Sequence, residues 1–179
     1  YIHVNGTAKN DRVCNGCFAN TFSSSTNQFG CTNFTDCKIG EYIHVNGTAK
    51  NDRVCNGCFN GTISTVINIF KCAACNTGMF QRENNFTTCF KCSTGKYMNE
   101  WGSTKCKICE AGRVAITIGV VQCSNCTQGK YQNTSNFAAC IDCSKGRFNN
   151  NTADTKCYDC ANGTVTNEIG STGCTHCNA

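Results

Sequence analysis

Twenty cysteines dominate the chemistry open to this 179-residue chain. Cys55, Cys72, Cys89, Cys106, Cys123, Cys140, Cys157 and Cys174 follow one another at intervals of 17 residues. Each opens a Cys-x-x-Cys, closed by Cys58, Cys75, Cys92, Cys109, Cys126, Cys143, Cys160 and Cys177. Cys14 and Cys17 make another such pair, and Cys31 and Cys37 stand for one more, with five residues between them instead of two. Three chemistries use cysteines at this spacing. A dithiol pair exchanges with disulfides in redox enzymes, usually in a thioredoxin-like context that is absent here. Paired thiolates hold zinc, and Cys-x-x-Cys pairs separated by 13 residues are near zinc-ribbon spacing, so the chain would hold five sites of four thiolates. Disulfides staple small extracellular domains that lack a core. The unbroken period marks no grouping into fours, which disfavours zinc. A bridge inside a Cys-x-x-Cys would staple nothing.

The rest of the composition says why staples are needed. There is no Leu and no Pro, and Val, Ile and Phe number 9, 11 and 11. That fraction falls in the range where chains usually stay disordered, so burial alone does not offset the entropy of ordering. Closing a loop of about 15 residues contributes roughly 3 kcal/mol in the chain-entropy model.

The elements that position the cysteines repeat with them. Three residues after the second cysteine of a pair stands Gly40, Gly61, Gly78, Gly95, Gly112, Gly129, Gly146 or Gly163, and in the first unit Asn20. Glycine, with asparagine as its best substitute, marks a backbone with positive φ, as in a tight turn. Two residues on comes a β-former: Phe22, Tyr42, Ile63, Phe80, Tyr97, Val114, Tyr131, Phe148 or Val165. The spacing predicts a small hairpin inside each cysteine-closed loop. The expected fold class is therefore small, disulfide-rich and mostly β or irregular, with almost no helix. The loops should form an elongated, solenoid-like array.

Higher-order repetition divides the chain. Residues 1–18 and 42–59 are identical (YIHVNGTAKNDRVCNGCF), an offset of 41. Residues 72–122 and 123–173 read as two copies of a 51-residue, three-loop unit, matching Gln81 with Gln132, Phe86 with Phe137, Asn99 with Asn150 and Ile118 with Ile169. We read 1–71 as two-loop repeats carrying the duplication, 72–122 as one three-loop unit, and 123–179 as a second with the start of the next loop.

The unit CSTGKYMNEWGSTKCKIC, residues 92–109, resembles the short cysteine repeats of ephrin-receptor-like and tumour-necrosis-factor-receptor-like ectodomains. The tandem layout, rich in Asn, Thr and Lys, is similar as well to cysteine-rich surface (immobilisation) antigens of ciliated protists. The resemblance implies an extracellular protein. As in the first loop of receptor-type modules, it implies bonds from the second cysteine of one pair to the first of the next. Those are Cys17–Cys31, Cys37–Cys55, Cys58–Cys72, Cys75–Cys89, Cys92–Cys106, Cys109–Cys123, Cys126–Cys140, Cys143–Cys157 and Cys160–Cys174. Interleaved pairing, first to first and second to second, is the alternative. The local scheme leaves Cys14 and Cys177 over. Tyr1-Ile-His-Val repeats Tyr42-Ile-His-Val, so we read the chain as one period of a head-to-tail array in which Cys177 of one copy bridges Cys14 of the next.

Asn-x-Ser/Thr occurs at Asn5, Asn33, Asn46, Asn60, Asn85, Asn125, Asn133, Asn150 and Asn162. The 24 asparagines in this Ser/Thr-rich chain would give about four by chance, so N-glycans are expected at many units. Asn125, inside a Cys-x-x-Cys, is the most crowded position.

Other chemistry is not marked. The net charge of +5 is scattered without a basic run, which argues against nucleic acid. The longest apolar run, Val114 to Val121, is far too short to span a bilayer; we expect it to pack, as we expect of Trp101. His3, His44 and His176 read as surface residues, and no catalytic motif or cofactor site is present. The expected function is an extracellular structural glycoprotein, a coat or filament that displays N-glycans and associates with itself, and not an enzyme. A receptor-type ectodomain binding a protein ligand is the first alternative and a zinc-binding repeat protein the second.

Overall fold

A computed structural model describes residues 1–177; the Asn-Ala that follows Cys177 lies outside the described residues. The described residues form ten two-stranded antiparallel hairpins and no helix. No sheet closes on itself, and none of these residues lies in a helix long and apolar enough to cross a membrane.

Each 17-residue unit builds its hairpin in the same way. In the unit of residues 92–109, the chain leaves Cys92, turns at Ser93–Lys96 with the Lys96 amide bonded to the Ser93 carbonyl, and enters the strand Lys96–Tyr97. It returns through Lys107–Ile108, the two residues inside the next Cys-x-x-Cys, with Lys96 opposite Ile108 and Tyr97 opposite Lys107. The spacer between the cysteines is thus itself a strand. The turn glycines hold φ between +76° and +83°, and Asn20 takes φ +62°. The loop from Cys37 to Cys55 spans 18 residues instead of 14 and spends the excess on a longer hairpin, Glu41–Val45 with Val54–Gly57, bulged between Ile43 and Val45.

A second left-handed position recurs ten residues after the second cysteine: Asn27, Asn68, Asn85, Gly102, Gly119, Asn136, Ala153 and Gly170. It joins loops together. The amide of Gly102 donates to the Cys75 carbonyl in the preceding loop, and Gly119, Asn136, Ala153 and Gly170 donate in turn to Cys92, Cys109, Cys126 and Cys143. The first glycine slot joins each loop to the one after it: the amides of Gly95, Gly112 and Gly129 donate to the carbonyls of Ala115, Gln132 and Asn149. The same slot also meets the loop after next. A Cβ on Gly78, Gly95, Gly112 or Gly129 would overlap the carbonyl oxygen of Gly119, Asn136, Ala153 or Gly170.

In each unit cysteine sulfur lies at the core. Cys37, Cys58, Cys75, Cys92, Cys109, Cys126 and Cys143, all second cysteines of their pairs, are fully buried. Beside them runs the sixth residue after each second cysteine: Ile43, Ser64, Gln81, Met98, Ala115, Gln132 and Asn149, all buried whatever their polarity. The polar ones serve backbone groups that the tight loops leave over. The Gln132 side chain donates to the Ala139 carbonyl (2.8 Å) and accepts from the Thr134 amide and hydroxyl (3.1 and 2.8 Å). Asn149 donates to the Lys130 carbonyl of the preceding loop (2.9 Å) and accepts from the Asn151 amide (2.9 Å).

The described residues divide into two compact units. The first holds residues 1–73 with 83–88, and the second 74–82 with the described residues from 89 onward. Two packing expectations are corrected. Trp101 is 66% exposed, because it precedes the left-handed Gly102 at a loop tip where side chains point outward. In the run from Val114 to Val121 only Val114 and Ala115 are buried; Ile116, Ile118 and Val121 are exposed, since a hairpin of two residues per strand turns away before a longer strand can pack.

Candidate interaction and glycan-display surface

Nine disulfides join the second cysteine of each pair to the first of the next: Cys17–Cys31, Cys37–Cys55, Cys58–Cys72, Cys75–Cys89, Cys92–Cys106, Cys109–Cys123, Cys126–Cys140, Cys143–Cys157 and Cys160–Cys174. Their Cα atoms lie 5.4–5.8 Å apart, within the ordinary range for bridged cysteines. Each bond locks the base of one hairpin. Cys14 and Cys177 remain as exposed thiols. Sulfurs in disulfides offer no thiolate to a metal, and among the described residues no three His, Cys, Asp or Glu side chains gather as a metal site requires.

All nine sequon asparagines are exposed. Asn60 and Asn162 stand at the turns that open their hairpins, next to the left-handed Gly61 and Gly163. Asn33 and Asn125 lie on return strands, and the side of the hairpin that carries Asn125 faces solvent. Asn85 differs. It is itself left-handed, its amide donates to the Cys58 carbonyl, and its carboxamide oxygen packs where a Cβ on Gly57 would sit. A sugar on that side chain competes with a packing contact, a conflict that the sequon pattern alone does not reveal.

Charge on the hairpins is paired across the strands. Lys130 meets Asp142 at 2.6 Å and Arg147 meets Asp159 at 2.6 Å, each pair directly opposite in register. Lys107 meets Glu100 at 2.5 Å, which holds its ammonium above the ordinary lysine value. Hydrogen bonding to Asp159 likewise raises Arg147. His3 and His44 are exposed and lie edge-on to Tyr1 and Tyr42, and His176 is exposed on a return strand.

The richest side-chain cluster is in the first unit, where the duplicated segment 42–59 meets residues 34–37. The Arg53 guanidinium lies over the Phe34 ring (5.1 Å) and donates to the Asn68 side-chain oxygen (2.7 Å), while its buried Nε has no partner. The Asp52 carboxylate accepts the Thr35 amide (2.8 Å) and hydroxyl (2.5 Å). The hydroxyl first, and then the amide, lower the Asp52 pKa below the usual carboxylate value. Asn68 closes the cluster: its oxygen accepts the Cys37 amide (2.9 Å) and its nitrogen donates to Asp36 (2.8 Å). Around it opens a cleft of about 510 Å³ lined by Asn33, Asn46, Phe34 and Arg53.

Residues 135–177 match the family described as tyrosine-protein kinase ephrin type A/B receptor-like. That stretch contains two complete bridged loops, Cys143–Cys157 and Cys160–Cys174. No curated protein matches the chain. The tandem cysteine-rich repeat therefore resembles ephrin-receptor-like domains. Its many disulfides suit an oxidising, extracellular setting.

Proposed function

We propose that this chain is a structural module of an extracellular coat or filament, holding N-glycans outward on disulfide-stapled loops and continuing end to end through further copies. The observation that carries the reading is the exposure of every sequon asparagine, spread over both units of a fold whose core is sulfur and backbone. A non-catalytic role is supported by how its buried polar side chains are used: Gln132 and Asn149 cap loop backbone rather than converge on a common point. The exposed thiols of Cys14 and Cys177 support covalent continuation.

The test is the intact mass of secreted material before and after enzymatic glycan removal, with thiol labelling but no reductant. The expected result is a stepwise mass loss from several asparagines, at most two labelled cysteines per chain, and no stoichiometric zinc. Secreted material that loses no mass, or that labels at many cysteines, would overturn the proposal.

A further inference from the structure

The sequence scatters its cations, but the stacking of two hairpins gathers four of them. Between the hairpin of Met79–Phe80 with Phe90–Lys91 and that of Lys96–Tyr97 with Lys107–Ile108 opens a groove of about 410 Å³. Arg82, Lys91, Lys96 and Lys105 line it, with the rings of Phe80 and Phe90, and no Asp or Glu does. All six residues belong to the second compact unit. The two phenylalanines stand opposite each other in register, with ring centroids 6.1 Å apart, and the Arg82 guanidinium lies 5.9 Å from the Phe80 centroid. The Lys91 stem runs beside Gly119, where an added Cβ would lie 3.2 Å from its Cδ. Its apolar part is thus packed and its ammonium is left to solvent.

The repeat supplies its own comparison. One loop on, the equivalent groove is only about 270 Å³ and carries Ile108, Glu110 and Gln122 where this one carries Lys91, Ser93 and Lys105. Lys130 and Arg147, which share the strand position of Lys96 in later hairpins, are paired with Asp142 and Asp159 directly opposite. Opposite Lys96 stands Ile108. Among the described residues, no carboxylate lies within ion-pair distance of Arg82, Lys91, Lys96 or Lys105. Like charges gathered without a counter-charge repel one another until an anion neutralises them.

We propose that this groove binds a sulfated polysaccharide. Guanidinium and ammonium groups make charge-assisted hydrogen bonds to anionic oxygens. The negative faces of Phe80 and Phe90 suit the C–H faces of sugar rings. A groove open along its length admits a chain, and the nine disulfides suit the oxidising, extracellular setting in which such chains occur. Neither glycan display nor end-to-end continuation enters this inference.

The test titrates the intact oxidised chain with a heparin-derived octasaccharide by calorimetry, at low and at high salt. Saturable binding that weakens as salt rises is expected. K91I combined with K105Q gives this groove the residues of the next one and should lower affinity about tenfold or more. K130Q combined with R147Q removes the same charge from the paired positions and should change affinity less than about twofold. F90S, which leaves the net charge alone, should lower affinity about threefold or more. Phe90, Lys91 and Lys105 are exposed, so their substitution should leave the nine disulfides in place, as disulfide mapping would check. Absence of saturable binding, equal losses in the two double variants, or undiminished affinity in F90S would overturn the proposal. So would tighter binding of a single-stranded DNA of equal charge, which would assign the groove to nucleic acid.

Discussion

Gly129 and Gly119 occupy the first and the second left-handed slot of neighbouring loops and hold nearly the same backbone, φ +77° and +75°. Their surroundings differ. A Cβ on Gly129 would overlap the carbonyl of Gly170 in the loop after next, whereas one on Gly119 would meet only the flexible Lys91 side chain, at 3.2 Å. Two physical demands therefore converge on one residue type. The turn needs a positive φ, which asparagine meets as Asn20 does at +62°. The stack needs the absence of a side chain, and only glycine meets that. A repeat can preserve its glycine for either reason, and the comparison separates them.

Substitution at these two positions is expected to give the largest effect. G129A should cost about 2–5 kcal/mol, the sum of left-handed strain and a backbone clash that no side-chain rotation relieves. G119A should cost only about 1–2 kcal/mol, mainly from strain, because the Lys91 side chain can move aside. The asparagine variants sharpen the contrast: G119N, at a slot that Asn136 fills one loop on, should lie within about 1 kcal/mol of the parent, and G129N should remain as damaging as G129A. Denaturant unfolding of the oxidised chain measures all four. Equal losses at the two positions would mean that stacking on the loop after next contributes nothing.

The hairpin slot, the β-formers and the disulfide-closed loop were legible because each rests on residue types with narrow physical uses, repeated at one period. The second left-handed slot was just as periodic but hidden. It alternates Asn and Gly and admits Ala153, so no single letter marks it. The stacking of loop on next-but-one loop left no signal beyond that slot. Hydropathy is a poor guide to burial here: Trp101 and most of the run from Val114 to Val121 are exposed. Gln81, Gln132 and Asn149 are buried by position, since the sixth residue after the second cysteine points into the stack whatever it is. Trp101 is exposed by position for the converse reason. In a fold with little apolar core, repeat position outweighs hydropathy.

That argument predicts a second, smaller contrast, within the buried slot. Met98 and Gln132 sit at equivalent positions, but Gln132 also satisfies Thr134 and the Ala139 carbonyl. Q132A should cost about 1–3 kcal/mol, because it opens a cavity and removes the side chain's three hydrogen bonds to the loop. Q132M keeps the volume and should recover the packing part but not the hydrogen bonds, so it should fall between the parent and Q132A. A Q132M chain as stable as the parent would show that volume alone fills the slot.

The smallest expected effect returns to the duplicated segments, where Asp52 is held by Thr35. Hydrogen bonds from the Thr35 hydroxyl and amide lower the folded-state pKa of Asp52, with the Arg53 amide and charge adding to them, against a desolvation that acts the other way. A carboxylate whose pKa falls on folding contributes stability that is present above its unfolded value and disappears as pH drops through the folded one. The contribution should therefore be complete above about pH 4, the unfolded aspartate value, and fade on further acidification. D52N removes the titration while keeping the side-chain oxygen that accepts from Thr35. The difference in melting temperature between parent and D52N should be constant from pH 7 to about pH 5 and shrink as pH falls below about 4. A difference that stays constant through the acid range would show that Asp52 titrates identically in both states, so that its contacts with Thr35 do not stabilise the charged form.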